Sequence, residues 1–108
     1  MARIALTDGT GKWFDVDKAQ KFKDAEDWDG NNNISMSAGE YCHHMLYRTA
    51  SGRWILDRWS QWQGDNETYT EITDQEAAEW FMKNEYEDSD IPDDLLTLLA
   101  DDIKELEV

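Results

Sequence analysis

The chain has 108 residues, and its 25 acidic and 10 basic side chains give a formal net charge of −15, which opposes binding to nucleic acid or anionic membranes. A hydrophobic content of 40%, with six Trp, four Tyr and three Phe residues, excludes an intrinsically disordered chain. The length predicts a single domain over residues 1–108.

Cysteine content and hydropathy predict the compartment. The lone Cys42 cannot form an intrachain disulfide, which favours a reducing environment. Residues 1–10 lack the basic start and apolar run of a secretory signal, and no stretch approaches the roughly 18 apolar residues of a membrane span. We therefore expect a cytoplasmic protein without membrane contact.

The N-terminal part is predicted to form two short strands and a helix. Residues 2–7 alternate in polarity and end in an Asp-Gly-Thr-Gly turn, after which residues 12–14 return as a strand. Asp15 or Asp17 then offers an N-cap for a helix that runs to about Asp27.

The middle of the chain has the two-residue period of an antiparallel hairpin. Residues 34–37 and 43–50 alternate, Ser51-Gly52 is a two-residue turn signal, and residues 53–63 return as the partner strand. This register places Tyr47 opposite Leu56 and predicts two different faces. The core face carries Met45, Tyr47, Trp54 and Leu56. The half-solvated face carries Arg48, Ile55, Asp57 and Trp59.

A strand over residues 68–72 is predicted to lead into two helices. Thr73 and Glu76 have the spacing of a capping box, and the helix that follows runs to Met82. After an acidic linker, a last helix begins near Pro92, with an apolar stripe that suits its own chain or a second copy. The stripe is Leu95, Leu99, Ile103 and Leu106. The order of elements predicts an α+β fold, an antiparallel sheet of about four to six strands covered by two or three helices.

The acidic side chains are concentrated in a C-terminal helical segment, residues 85–108. It contains ten acidic residues and one base, Lys104, so it carries −9 of the total charge of −15. Carboxylates along a rigid helix can take the places of nucleic-acid phosphates, which give a duplex about one charge per 1.7 Å of axis. The alternative is an amphipathic helix with a solvated acidic face. The candidate partner-binding residues here are Glu85, Glu87, Asp88, Asp90, Asp93, Asp94, Asp101, Asp102, Glu105 and Glu107.

Two patterns suggest metal ligands but depart from the required spacing. Residues 27–35 place oxygen donors at positions 1, 3 and 5 of an EF-hand loop, but Asn32 and Ala38 replace the Gly at position 6 and the Glu at position 12. The adjacent residues Cys42-His43-His44 point to alternate faces of a strand. We expect no metal site or cofactor, with calcium binding by residues 27–35 as the alternative.

The tryptophans of the middle hairpin suggest a second kind of interface. Trp54 is expected in the core, with Trp59 or Trp62 packed under a helix. A partly exposed Trp59 would suit a protein interface, because Trp is over-represented among interface hot spots. We therefore include Trp59 among the candidate partner-binding residues.

The stretches 46–54 and 59–64 resemble small accessory proteins of bacterial mobile elements, and the size and acidity of the chain are similar to those of anti-CRISPR and anti-restriction proteins of phages and integrative elements. The resemblance implies a stoichiometric inhibitor that blocks the nucleic-acid-binding surface of a nuclease complex. Because no catalytic constellation can be named, we expect no enzyme. The expected partner is a basic protein, a nuclease or CRISPR effector subunit, without direct contact to nucleic acid. The alternative is an antitoxin- or immunity-type module that binds through Trp59, Trp62 and Leu98.

Overall fold

The computed structural model describes residues 2–28, 33–35, 38, 42–60 and 66–106, of which positions 27, 28, 33, 34 and 100–106 are described by their backbone alone. Strands precede helices along these residues. The strands are β1 (Arg3–Ala5), β2 (Trp13–Asp15), β3 (Gln20–Lys23), β4 (Glu26–Trp28), β5 (Asn33–Ser35), β6 (Cys42–Arg48), β7 (Trp54–Ser60) and β8 (Thr68–Ile72). The α-helices are α1 (Asp74–Lys83) and α2 (Asp93–Leu106).

The centre of the fold is a four-stranded antiparallel sheet in the order β3-β6-β7-β8. Two further antiparallel hairpins, β1–β2 and β4–β5, lie beside it. This arrangement confirms the predicted α+β fold, with an antiparallel sheet and two helices. Among the described residues, no helix is both long enough and apolar enough to cross a lipid bilayer.

The four-stranded sheet buries side chains on both faces. Alternation along β6 and β7 sends even-numbered residues towards the helices and odd-numbered residues towards the β1–β2 hairpin. The buried residues of the helix-side core are Leu46, Trp54, Ala77, Ala78, Trp80, Phe81, Ile91, Leu95 and Leu99. Those of the hairpin-side core are Leu6, Phe14, Tyr47 and Ile55.

The helix predicted from Asp15 or Asp17 to about Asp27 is wrong. One 3-10 turn, Val16–Lys18, is followed directly by β3, which pairs with β6 so that Phe22 faces Leu46. The Phe22 ring lies 5.0 Å from the ring of Phe81 between centroids. A few apolar residues fit either a helical or a strand period, and here packing against the central sheet decides between them.

The β6–β7 hairpin is shifted by one residue from the predicted register. Its loop has three residues, because Thr49 pairs with Arg53 through an N–H···O bond of 2.8 Å, and Gly52 adopts a φ of +85°. Tyr47 therefore faces Ile55. A one-residue shift exchanges the faces of one strand relative to the other. The residues predicted to share the core face therefore do not all lie on one side of the sheet, and neither do those predicted to share the half-solvated face. Ile55 and Asp57, which were predicted to be half-solvated, are buried.

Two paired strands, β4 and β5, stand at residues 26–28 and 33–35, where a passage from helix to strand was predicted. The backbones of β4 and β5 pair so that position 27 faces position 34. Residues 29–32, which would complete the EF-hand match, and residues 36–37 lie outside the described residues.

The C-terminal elements confirm the prediction. The capping box is formed, since Glu76 N–H donates to Thr73 Oγ1 at 3.1 Å and Thr73 N–H donates to Glu76 Oε1 at 3.2 Å. Helix α2 begins directly after Pro92, and Leu95 and Leu99 pack on their own chain in the helix-side core. The other two residues of the predicted stripe lie where only the backbone is described.

Candidate functional site

The acidic C-terminal segment begins at a well-formed helix end. Glu85 has a φ of 56°, the left-handed conformation found after many helices. Its N–H donates to the Met82 carbonyl at 3.1 Å, and the Tyr86 N–H donates to the Phe81 carbonyl at 3.2 Å. The Tyr86 and Phe81 rings pack with centroids 5.0 Å apart. These bonds and this contact form a Schellman motif, which fixes the direction in which the acidic segment leaves α1.

Five of the predicted partner-binding carboxylates form an exposed stretch, which we call the acidic ridge: Glu85, Glu87, Asp88, Asp90 and Asp93. A 3-10 turn, Asp88–Asp90, shapes its middle, and the Asp90 N–H donates to the Glu87 carbonyl at 2.9 Å. Within the described part of the chain, no salt bridge joins these five carboxylates to a basic side chain. The ridge therefore presents negative charge that no salt bridge among the described residues neutralises.

Asp94 differs from the ridge because it already has a partner. The Arg48 guanidinium donates to its two carboxylate oxygens at 3.0 and 2.6 Å and lies 4.9 Å above the centre of the Trp54 ring. The hydrogen bonds from Arg48 lower the pKa of Asp94. Asp94 therefore fastens the first turn of α2 to β6.

The remaining predicted site residues are placed as follows. Asp101, Asp102 and Glu105 belong to α2 at positions where only the backbone is described, and Glu107 lies outside the described residues, as does Trp62. Trp59 lies on β7 opposite His43, with ring centroids 5.8 Å apart, and is half-buried. The prediction that Trp59 or Trp62 packs under a helix stays a prediction, because residue 62 lies outside the described residues.

A second charged cluster was missed by the sequence interpretation. It joins Asp24 and Glu26, on either side of the β3–β4 junction, to His43 on β6, and their ligand atoms all lie within 4.8 Å of one another. The erroneous helix separated the two acids from His43. An assignment of residues 20–23 to a strand paired with β6 would have brought them together.

A third cluster, Asp57 with Glu67 and Tyr69, was missed because the predicted register exposed Asp57. Asp57 is only 3% exposed and faces Tyr69 across the β7–β8 pair. Burial, together with the hydrogen bond and the negative charge of Glu67, raises the pKa of Asp57 to about 8. Burial and the same two carboxyl groups also raise the pKa of Tyr69. Asp57 therefore favours its protonated form at neutral pH, beside the Glu67 carboxyl.

A groove of about 530 Å³ lies between the β1–β2 hairpin and the β6–β7 turn. Trp13 and Phe14 contribute its aromatic lining, and Lys12 and Arg53 contribute positive charge. Both bases form salt bridges with Glu71, at 3.5 and 3.3 Å. Its described lining contains no histidine or cysteine.

No protein-family model, no curated protein and no solved structure matches this chain. Functional inference therefore depends on the geometry and charge of the chain itself. The acidic ridge agrees with the concentration of acidic residues in the C-terminal segment, residues 85–108.

Proposed function

We propose that this protein is a non-enzymatic, acidic inhibitor that acts in the cytoplasm and binds the basic surface of a nucleic-acid-binding protein, as anti-CRISPR and anti-restriction proteins do. The observation that carries the proposal is the acidic ridge, whose exposed carboxylates form no salt bridge with a basic side chain in the described chain. A surface with one sign of charge accelerates encounter with a surface of the opposite sign.

The spacing of acids along α2 supports nucleic-acid mimicry. Five acidic residues, Asp93, Asp94, Asp101, Asp102 and Glu105, lie between positions 93 and 105 of this helix. Twelve residues of α-helix rise about 18 Å, so these five acidic positions are on average about 4.5 Å apart along the helix axis. One strand of duplex DNA carries a phosphate about every 3.4 Å along the axis. Lys and Arg side chains arranged for phosphates would thus meet carboxylates at an axial spacing of the same order, with Asp94 already paired to Arg48.

The rigidity of the acidic ridge also supports the proposed inhibitor function. The ridge is fixed at its start by the Schellman motif of α1 and at its end by the Arg48–Asp94 salt bridge. A preorganised surface loses less conformational entropy on binding than a flexible acidic tail. We therefore expect binding that is both tight at low salt and steeply weakened by added salt.

The test compares two double charge reversals that change net charge equally. In Asp88→Lys/Asp90→Lys the change falls on the ridge, whereas in Asp74→Lys/Glu79→Lys it falls on exposed positions of α1. Each purified variant is assayed for inhibition of DNA cleavage by a panel of CRISPR effector complexes and restriction nucleases. We expect the ridge variant to lose at least tenfold in inhibition and to show a weaker salt dependence, with the α1 variant close to wild type.

Two outcomes would contradict the proposal. If both variants lost inhibition equally, the total charge and not the ridge would be responsible. If neither lost it, and Trp59→Ala or Leu98→Asp abolished inhibition at all salt concentrations, an apolar interface of the antitoxin or immunity type would explain binding. Circular dichroism and thermal melting of every variant would establish that the comparison concerns folded proteins.

A further inference from the structure

The Asp24–Glu26–His43 cluster contains a buried carboxylate with incomplete hydrogen bonding. The Asp24 side chain is 0% exposed, and its Oδ2 accepts the His44 N–H at 2.9 Å. Its other oxygen, Oδ1, is buried without a hydrogen-bond partner in the described structure. Burial of an ionised carboxylate is costly unless a positive charge or further hydrogen bonds compensate for lost hydration.

The other two members of the cluster face this carboxylate. His43 Nδ1 lies 3.7 Å from Asp24 Oδ2 and 3.3 Å from Glu26 Oε1. The His43 side chain is 13% exposed and that of Glu26 is 25% exposed, so the cluster is open to solvent on one side. No lysine or arginine forms a salt bridge with Asp24 or Glu26 in the described residues.

We infer that Asp24, Glu26 and His43 bind a divalent transition-metal cation, for which Zn²⁺ is the best match. One imidazole nitrogen and two carboxylate oxygens are a ligand set that Zn²⁺ accepts, whereas Ca²⁺ and Mg²⁺ prefer oxygen ligands alone. Metal–ligand bonds of 2.0–2.2 Å in a tetrahedron place neighbouring ligand atoms about 3.4 Å apart. The distances of 3.3 and 3.7 Å lie close to this value.

The backbone around Asp24 is held in place by residues outside the cluster. The Asn84 side chain accepts the Ala25 N–H at 2.8 Å, and the Tyr86 hydroxyl donates to the Lys23 carbonyl at 2.6 Å. Both anchors come from the end of α1. A ligand whose position is fixed before the metal arrives binds with a smaller entropic loss, and outer contacts of this kind orient metal ligands.

Three protein ligands leave a fourth coordination position on the solvent side of the cluster. Zinc sites closed by four protein side chains are structural, whereas sites with three keep a position for water or an incoming group. The metal would join β6 to the β3–β4 junction, and a donor atom from a partner could complete its coordination. This inference does not depend on the proposed inhibitor function.

The experiment is titration of the metal-free wild-type protein with ZnCl₂ by isothermal calorimetry and with CoCl₂ by visible absorption. We expect one Zn²⁺ per chain, a higher melting temperature with Zn²⁺, and Co²⁺ bands of a four-coordinate site. Glu26→Gln and His43→Gln should each weaken Zn²⁺ binding by more than the roughly 10–100-fold that loss of an outer contact causes. Cys42→Ser, which removes a neighbouring sulfur outside the cluster, should bind Zn²⁺ as the wild type does.

Equal Zn²⁺ affinity in the wild type, Glu26→Gln and His43→Gln would overturn the inference and point to nonspecific binding by surface carboxylates. Absence of Zn²⁺ binding to the folded wild type would also overturn it. Should a variant fail to fold, the ¹⁵N shifts of the His43 ring in the wild type provide the second measurement. They should change on addition of one equivalent of Zn²⁺, and unchanged shifts would count against the site.

Discussion

Replacement of Asp57 by Asn should stabilise the folded protein at pH 8 and remove a pH dependence that the wild type shows at lower pH. Asp57 lies in the middle of β7 and is 3% exposed, and its Oδ1 has no hydrogen-bond partner in the described structure. Burial and the neighbouring Glu67 raise the pKa of Asp57 from 3.8 to about 8. Both causes oppose the charged form of the Asp57 carboxyl.

The sign of the effect follows from proton linkage. Between about pH 4 and pH 8 the folded protein retains a proton on Asp57 that the unfolded chain has released. The free energy of unfolding therefore falls as pH rises through this window, by at most about 1.4 kcal/mol per pH unit for one group. The stabilising contribution is complete below about pH 4 and is lost as the pH passes the folded-state value. In Asp57→Asn, a neutral amide of similar size replaces the protonated carboxyl at every pH.

Urea denaturation at pH 5, 6, 7 and 8 would measure this difference. We expect the stability of the wild type to decline relative to that of Asp57→Asn as pH rises, with the variant more stable at pH 8. Glu87→Gln, a change at an exposed carboxylate, controls for the loss of one negative charge. Parallel curves for the wild type and Asp57→Asn would refute the reasoning, because Asp57 would then bind protons equally in the folded and unfolded chains.

Three further substitutions test the local structure, and chemical denaturation measures the free energy of unfolding of each variant. The control is Met82→Ala, at a 48% exposed position, whose free energy of unfolding should lie within about 0.5 kcal/mol of wild type. Glu85→Gly should stabilise the protein by about 1 kcal/mol, because Gly adopts the positive φ of 56° without the strain of a side chain. Thr73→Ala should cost about 1 kcal/mol, since α1 loses its capping box. Phe81→Ala should lower the free energy of unfolding by about 3–5 kcal/mol, because the 0% exposed ring of Phe81 fills the helix-side core. Unchanged stability in any of the three variants would contradict the role given to the residue that it replaces.

The C-terminal part of the fold was predictable because its signals are local. A capping box needs only residues 73 and 76, and the start of α2 follows from Pro92 and the acidic first turn. The leucine spacing of α2 then indicates which side packs inward. These elements combine short-range hydrogen bonds with a helical period, and both can be identified from neighbouring residues alone.

The N-terminal part was not predictable by the same means. Asp15 does cap a turn, since its carboxylate accepts the Asp17 N–H at 3.0 Å, but the turn continues into a strand. What decides the outcome is the pairing of β3 with β6, more than twenty residues further along the chain. A local cap establishes that a helical turn begins, and long-range packing determines whether it continues.

The hairpin register depended on a single residue of loop length. Ser51-Gly52 suggests a two-residue turn, but Ala50 joins the loop and Gly52 takes the left-handed position of a three-residue connection. Both faces of the sheet are largely apolar because helices cover one and the β1–β2 hairpin covers the other. Alternation therefore could not distinguish the two registers, since neither face is uniformly polar.

The same distinction between local and cross-strand structure separates the acidic ridge from the two clusters that sequence reasoning missed. The ridge residues are neighbours in sequence, so their concentration of charge was visible without any knowledge of strand pairing. Asp94 lies outside the ridge, and its salt bridge with Arg48 crosses 46 positions of the chain. The Asp24–Glu26–His43 and Asp57–Glu67 clusters each require correct pairing of two strands before their members meet. The ridge depends on residues that are neighbours in sequence, whereas the Asp24–Glu26–His43 cluster depends on strand pairing. Substitutions that remove one of them should therefore leave the other intact in a folded protein.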